Sequence, residues 1–219
     1  MHIALIGPTG FVGAAVLATL LERGHQVTAL VRDSARLAPQ PGLAVVVADA
    51  YDAGAIAAAV RGHDAVISAF NPGWNDPALY DNFLRGSAAI ECGVEAGGVR
   101  RLLVVGGAGS LFVAPGVQLV DTPEFVDHVP PNVVPGAQAA RDALTALRAN
   151  TALDWTLLSP PAMLGQGEAR GAYRVGGDDL LMDGDKPAGI AVTDMALAIV
   201  DEIEQPRHVR ARFTVASKG

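Results

Sequence analysis

Gly7-Pro8-Thr9-Gly10-Phe11-Val12-Gly13 stands between two apolar runs, Ile3-Ala4-Leu5-Ile6 before it and Ala14 to Leu21 after it. The order is strand, glycine turn, helix. Such a turn lets backbone come close to a pyrophosphate, and the helix behind it offers free N–H groups and the positive end of its dipole. The pattern gains its force from its position at the start of a βαβ unit. A second run, Val27–Val31, reads as the next strand, and Arg32 closes it. In dinucleotide folds this strand end meets the adenosine ribose. An acidic residue there accepts from the 2′-OH, whereas arginine pairs with a 2′-phosphate. Arg32 therefore points to NADP, with NAD left open because Asp33 follows at once.

The alternation continues. A helix over Phe11–Arg23 ends at Gly24, a common terminating residue. Leu43–Val47 reads as strand three, with Asp49 after it, and Ala53–Val60 as a helix. Asp64–Ala69 makes strand four, Pro77–Ala96 a long helix, and Arg101–Val105 strand five. Continuous Val/Ile/Leu runs of this kind suit strands covered on both faces. The segment 110–135 loses the period and carries five prolines: Pro115, Pro123, Pro130, Pro131 and Pro135. A helix resumes over Gly136–Ala149, and Asp154–Leu158 is strand six, followed by Ser159-Pro160-Pro161. Short extended pieces are expected at Tyr173–Val175 and Leu180–Met182, a helix at Thr193–Glu204 and a last short strand at Arg212–Val215. The expected fold class is α/β, a doubly wound parallel sheet. The 219 residues are expected to form one domain, with a small substrate lobe from segments near 110–135 and 159–192.

Half of the residues are hydrophobic and 18% are charged, so the chain folds into a core and is not disordered. A net charge of −7 with no basic block argues against nucleic acid as a partner. The apolar stretch Phe11–Leu21 is too short to span a bilayer, so no membrane partner is expected. Met1 leads almost directly into strand one, which leaves no room for a signal peptide, and a cytoplasmic location is expected. Cys92 is the only cysteine and is expected to be a buried thiol. The acidic Asp178-Asp179 and Asp183-x-Asp185 lack His or Cys at ligand spacing, so no metal site is expected. Monomer and homodimer both remain open.

These residues resemble the atypical short-chain dehydrogenase/reductases, in particular the NmrA-like proteins and the NADH-flavin reductases related to biliverdin-IXβ reductase. Gly7-x-Thr9-Gly10-x-x-Gly13 is common to the superfamily. The C-terminal residues are more telling: Asp154-Trp155-Thr156, Ser159-Pro160-Pro161, Tyr173-Arg174-Val175-Gly176-Gly177-Asp178, Thr193-Asp194 and Arg212-Phe213-Thr214-Val215. The resemblance implies that Gly7, Thr9, Gly10, Phe11, Val12 and Gly13 hold the pyrophosphate and Arg32 the 2′-phosphate. It implies Asp49 and Ala50 beside the adenine, Ala69 and Phe70 beside the adenosine ribose, and Gly106, Gly107 and Ala108 under the nicotinamide ribose. Ser159, Pro160 and Pro161 would flank the nicotinamide.

The chain departs from the wider superfamily at one point. The helix after strand five usually carries a Tyr-x-x-x-Lys pair; here it reads Gly136-Ala137-Gln138-Ala139-Ala140-Arg141-Asp142. Reduction of a carbonyl needs a donor for the developing oxyanion. Reduction of a flavin chiefly needs two aligned rings, with flavin as substrate and solvent as proton source. The expected activity is hydride transfer from NADPH to a flavin or quinone-like small-molecule acceptor. The alternative is an NmrA-like protein that binds NADP and senses it without turnover. Ser110, after strand five, is the first candidate for a catalytic polar group; Tyr80, His128 and Tyr173 are the others.

Overall fold

A computed structural model describes residues 1–218. The chain runs β1 (His2–Ile6), α1 (Phe11–Glu22), β2 (Gln26–Val31), β3 (Leu43–Val47), α2 (Ala53–Val60), β4 (Ala65–Ser68), α3 (Leu79–Ala96) and β5 (Arg101–Val105). An excursion follows, with the hairpin β6 (Phe112–Ala114) and β7 (Val117–Gln118) and the short helix α4 (Pro123–His128). Next come α5 (Val134–Arg148) and β8 (Asp154–Ser159). A second excursion holds β9 (Met163–Gly165), β10 (Tyr173–Gly176), β11 (Met182–Asp183), β12 (Lys186–Pro187) and β13 (Gly189–Ala191). The chain then closes with α6 (Val192–Glu204) and β14 (Ala211–Ser217).

One eight-stranded sheet, in the order β10-β14-β8-β5-β4-β1-β2-β3, carries the fold. Every pair in it is parallel except β10 with β14. Both faces are covered, which is why the strand sequences show no alternation. On one face Ile3, Leu5, Leu103, Leu158 and Phe213 pack against Val16 and Leu20 of α1 and Met195, Ile199 and Ile203 of α6. On the other, Ala4, Ile6, Val66, Leu102 and Leu157 pack against Ile56, Ile90, Val94, Leu144 and Leu147 from α2, α3 and α5. This is a doubly wound α/β fold.

Two expectations change. Cys92 is exposed. The buried stripe of α3 is Ile90, Gly93 and Val94, and a helical period turns residue 92 away from it. The final strand is longer than expected, at seven residues, because it pairs with both β8 and β10. The segment 110–135 is also more ordered than its sequence suggests. Its pieces are short and held by side-chain contacts, such as Thr122 capping α4 through Phe125 N at 3.2 Å.

At the amino ends of β5 and β8 a buried carboxylate ties three elements together. Glu202, 4% exposed, accepts from Arg101 Nη2 at 3.1 Å, from the backbone N–H of Arg207 and His208, and from His208 Nδ1 at 2.8 Å. Burial pushes its pKa up, but these hydrogen bonds outweigh that and hold it below the usual glutamate value. A carboxylate with a depressed folded pKa gives its full stabilisation above the unfolded pKa and loses it as pH falls through the folded value. Glu202→Gln, which leaves Arg101 without its ion pair, is therefore expected to lower stability by about 3 kcal/mol at pH 7. The difference from wild type should shrink as pH falls below the ordinary value of 4.5. Urea unfolding at a series of pH values measures both.

Candidate functional site: the carboxyl rim of the sheet

Strand register places the expected site residues along one edge. Ile6 pairs with Leu30 on one side and Ser68 on the other, Ser68 with Val104, and Val105 with Leu158. The residues at or just beyond the strand ends follow the sheet in the order Asp49, Arg32, Gly7, Ala69, Gly106, Ser159, the last of these still within β8. The chain winds to opposite sides from β1, which makes the β1–β4 boundary the switch point at which such sheets bind ligands.

A cleft of about 570 Å³ opens there, within the size range of small-molecule sites. Gly7, Thr9, Gly10, Arg32, Asp49, Ala50, Ala69 and Phe70 all line it. Phe11, Val12 and Gly13 lie just behind in the first turn of α1, and Phe11 is 49% exposed.

The three glycines of the turn have different reasons. Gly7 has φ +76°, and a Cβ on it would lie 2.6 Å from the Ala69 carbonyl oxygen. A Cβ on Gly13 would lie 2.0 Å from the Gly7 carbonyl oxygen. The fold itself demands both. Gly10 has ordinary extended backbone, φ −79° and ψ 170°, and a Cβ there would meet nothing closer than 3.5 Å. Nothing within the chain requires glycine at 10, but a side chain there would enter the cleft. Gly10 is also the N-cap of α1, with no side-chain cap and no acidic residue in the first turn. The first N–H groups of that helix thus have no partner from the chain and face the cleft mouth. These features fit a bound pyrophosphate.

At the other end of the cleft Arg32 is exposed and, among the described residues, makes no ion pair. Asp33 is committed elsewhere: its carboxylate accepts from Ala35 N at 3.0 Å and caps the turn that follows. Sequence reasoning missed Arg36, which also lines the cleft and ends the short 3-10 turn Ser34–Arg36 that follows Asp33. It missed Tyr51 as well. Tyr51 lines the cleft next to Ala50, lies edge-on to Phe70 at 5.7 Å and carries the Arg85 guanidinium 4.4 Å above its ring. Phe70 fits because α3 has Gly86 beneath it, where a Cβ would lie 2.3 Å from the ring.

The opposite half of the rim is closed. A Cβ on Gly106 would press on Leu157 at 2.7 Å, and one on Gly107 on Ala140 of α5 at 3.1 Å. These glycines let β8 and α5 approach. Ala108 begins the 3-10 turn that ends at Ser110. Ser159 and Pro161 are buried and Pro160 half-buried. The Ser159 hydroxyl is buried and has no hydrogen-bond partner among the described residues.

The four polar candidates fall in different places. Ser110 is 1% exposed, and its Oγ accepts from Arg212 at 3.0 Å. Tyr80 donates to Asp142 on α5 at 2.7 Å; that bond raises the phenol above the usual tyrosine range. His128 is exposed on α4. Tyr173 is not at the cleft: it lies on the edge strand β10 and donates to Asp201 of α6. Among the described residues no cluster of His, Cys, Asp and Glu could hold a metal ion, and no helix is long and apolar enough to cross a membrane.

Residues 7–206 match the family model described as NAD(P)H-binding. The chain belongs to this NAD(P)H-binding family. It is 36% identical to the Bacillus subtilis protein YwnB over the full length of both chains. Among solved structures it is similar to a Bacteroides thetaiotaomicron protein provisionally named an epimerase: 40% identity, TM-score 0.91, covering 100% of this chain and 97% of that one. It is also similar to a Streptococcus pneumoniae protein provisionally named an NADH-flavin reductase: 30% identity, TM-score 0.81, covering 100% of both. The family places the chain among the atypical short-chain dehydrogenase/reductases and their NmrA-like relatives.

The glycine geometry gives a sharp expectation. Gly10→Val should fold with near wild-type stability yet lose dinucleotide binding. Gly13→Ala should be destabilised, because its Cβ would overlap the Gly7 carbonyl. Thermal unfolding and NADPH titration of the two variants separate these outcomes.

Proposed function

We propose that the protein is an NADPH-dependent reductase that passes hydride to a flavin or quinone-like acceptor, the flavin serving as substrate and not as a resident group. The observation that carries the cofactor half is Gly10, a glycine that the fold does not need at the floor of a cleft ending in Arg32. Bound NADPH would supply the hydride. Gly7, Thr9, Gly10, Phe11, Val12 and Gly13 would hold its pyrophosphate, and Arg32, with Arg36 beside it, its 2′-phosphate. Asp49 and Ala50 would border the adenine, and Ala69 and Phe70 the adenosine ribose. Gly106, Gly107 and Ala108 would carry the second ribose, and Ser159, Pro160 and Pro161 the nicotinamide.

The acceptor half rests on α5. Ala137 and Ala140 are packed against the turn after β5, where a Cβ on Gly109 would lie 3.3 Å from Ala137 Cβ. Side chains larger than methyl at either position would strike that turn. The helix that usually carries a proton-donating tyrosine is here shaped to lie close, with no acid on that face. An acceptor that delocalises the added charge, and takes its proton from solvent, needs none. The name of the Streptococcus pneumoniae relative agrees with this reading. The excursions at 110–135 and 159–192 would form the acceptor lobe of a single domain. Ser110 stays as the candidate catalytic polar group, but its burial and its bond to Arg212 support a role in shaping the turn.

Arg32→Ala should weaken NADPH by about tenfold or more, since a charge-assisted contact contributes roughly 1.5–3 kcal/mol, and should leave NADH unchanged. Equal wild-type affinities for the two cofactors would remove the phosphate-reading role.

Stopped-flow oxidation of NADPH by FMN tests the reaction itself. With FMN, Ser110→Ala should lower kcat little. A loss of about 10²–10³ with a carbonyl acceptor would instead mark Ser110 as an oxyanion donor, against its burial and its bond to Arg212. Tight NADPH binding with no flavin or quinone reduced would favour the sensor reading, which the missing tyrosine also fits.

A further inference from the structure

One buried cation has no part in the cofactor cleft. Arg212 is the second residue of β14, opposite Leu157 of β8, and its side chain is 1% exposed. Its Nη1 donates to the Ser110 carbonyl oxygen at 2.8 Å and to Ser110 Oγ at 3.0 Å. Its Nε donates to Asp178 Oδ1 at 2.6 Å, and its Nη2 to the Asp178 carbonyl oxygen at 3.0 Å. The Asp178 carbonyl also accepts from Phe112 N, and Leu180 N donates to the Phe112 carbonyl. Arg148 of α5 reaches the same Asp178 carboxylate from outside at 3.2 Å. A single guanidinium thus holds the excursion after β5, the excursion after β8 and the last strand in fixed relation.

Stability alone is a weak reason for arginine here. Buried ion pairs are often matched or exceeded by apolar residues of similar volume. The site has apolar walls for one, in Leu157 and in Phe112, whose ring lies 5.9 Å from the guanidinium carbon. What an apolar residue would not supply is geometry. Ser110 ends the short turn that starts at Gly106 and Gly107 on the rim. α5 limits that turn on one side, and Arg212 fixes its far end from below.

We infer that Arg212 is a positioning residue for hydride transfer. It holds the turn after β5 and the segment around Asp178 at the height where an acceptor ring can lie against the nicotinamide, and it touches neither ring. The inference rests on the reductase reading above.

Arg212→Met and Arg212→Lys are compared with wild type by NADPH titration, by FMN reduction, and by amide exchange of residues 106–118 and 176–187 with and without NADPH. The Met variant should bind NADPH within about threefold of wild type, because the glycine turn, Arg32 and Arg36 keep their places in the cleft. Its kcat should fall by about tenfold or more, the scale on which small misplacements act, with little change in the KM for NADPH. Both segments should exchange faster, and NADPH should no longer slow exchange near Ser110. The Lys variant keeps the charge and should recover part of kcat.

Wild-type exchange in both segments of the Met variant would overturn the inference. So would parallel losses of kcat and NADPH affinity. If the Met variant does not fold, the Lys variant decides: intermediate kcat with intact NADPH binding supports the role, and wild-type kcat refutes it. If wild type reduces no flavin, the reductase reading fails. In that case the hydride-transfer role of Arg212 falls with it, whatever the exchange shows; with a wild type that does reduce flavin, slowing by NADPH that persists in the variants refutes the role on its own.

Discussion

The contact between the Gly7 carbonyl and the Cα of Gly13 fixes the entry of α1 against the sheet. No side chain fits between them, since a Cβ on Gly13 would lie 2.0 Å from that oxygen. The helix therefore begins directly over the carboxyl end of β1. Its buried side, Val16, Leu17 and Leu20, then meets the sheet and α6 in one continuous core. The same closeness brings the first N–H groups of α1 to the mouth of the cleft. Packing and ligand geometry are two results of a single backbone approach.

The doubly wound sheet was readable because β1, β2, β4, β5 and β8 are covered on both faces and so read as largely apolar runs. Burial on both faces writes itself into local sequence. That Arg32, Asp49, Ala50, Ala69 and Phe70 share one cleft was readable for a related reason: they stand at strand ends, and strand ends follow from strands. The excursions were not readable in that way. Their order comes from pairings between distant residues, Arg212 with Asp178 and Arg212 with Ser110, which leave no local period. Tyr173 was misplaced because its segment forms an edge strand antiparallel to β14, and only the assembled sheet shows which end of the molecule it joins. Cys92 was misplaced by reading apolar neighbours where helical phase decides. Asp33 looked ambiguous until its carboxylate was seen on the Ala35 amide.

The two halves of the rim have different characters. Around Gly10 and Arg32 the surface is open, and the first N–H groups of α1 and the Arg32 guanidinium have no partner among the described residues. Around Gly106, Ser110 and Ser159 it is tightly filled, with α5 drawn in by alanine against glycine. An open half suits a ligand part bound through its charge. A closed half suits a part that must be held in one orientation. A nicotinamide dinucleotide divides in the same way, with phosphates and adenosine at one end and the reacting ring at the other.

The arginines at the cleft mouth also shape the approach to it. The chain carries a net charge of −7, so its long-range field repels a dinucleotide phosphate from most directions. At the cleft, the first N–H groups of α1 and the guanidinium groups of Arg32 and Arg36 supply positive ends that offset the carboxylates of Asp33 and Asp49, which also line it. At physiological ionic strength charges beyond about 8 Å are largely screened, so the distant carboxylates fade first while the arginines still act on a phosphate near contact. Moderate salt thus removes the repulsion without removing the attraction. Capture of the anion in a salty medium is correspondingly less impaired than it would be on a uniformly basic surface, whose pull at a distance is what salt takes away.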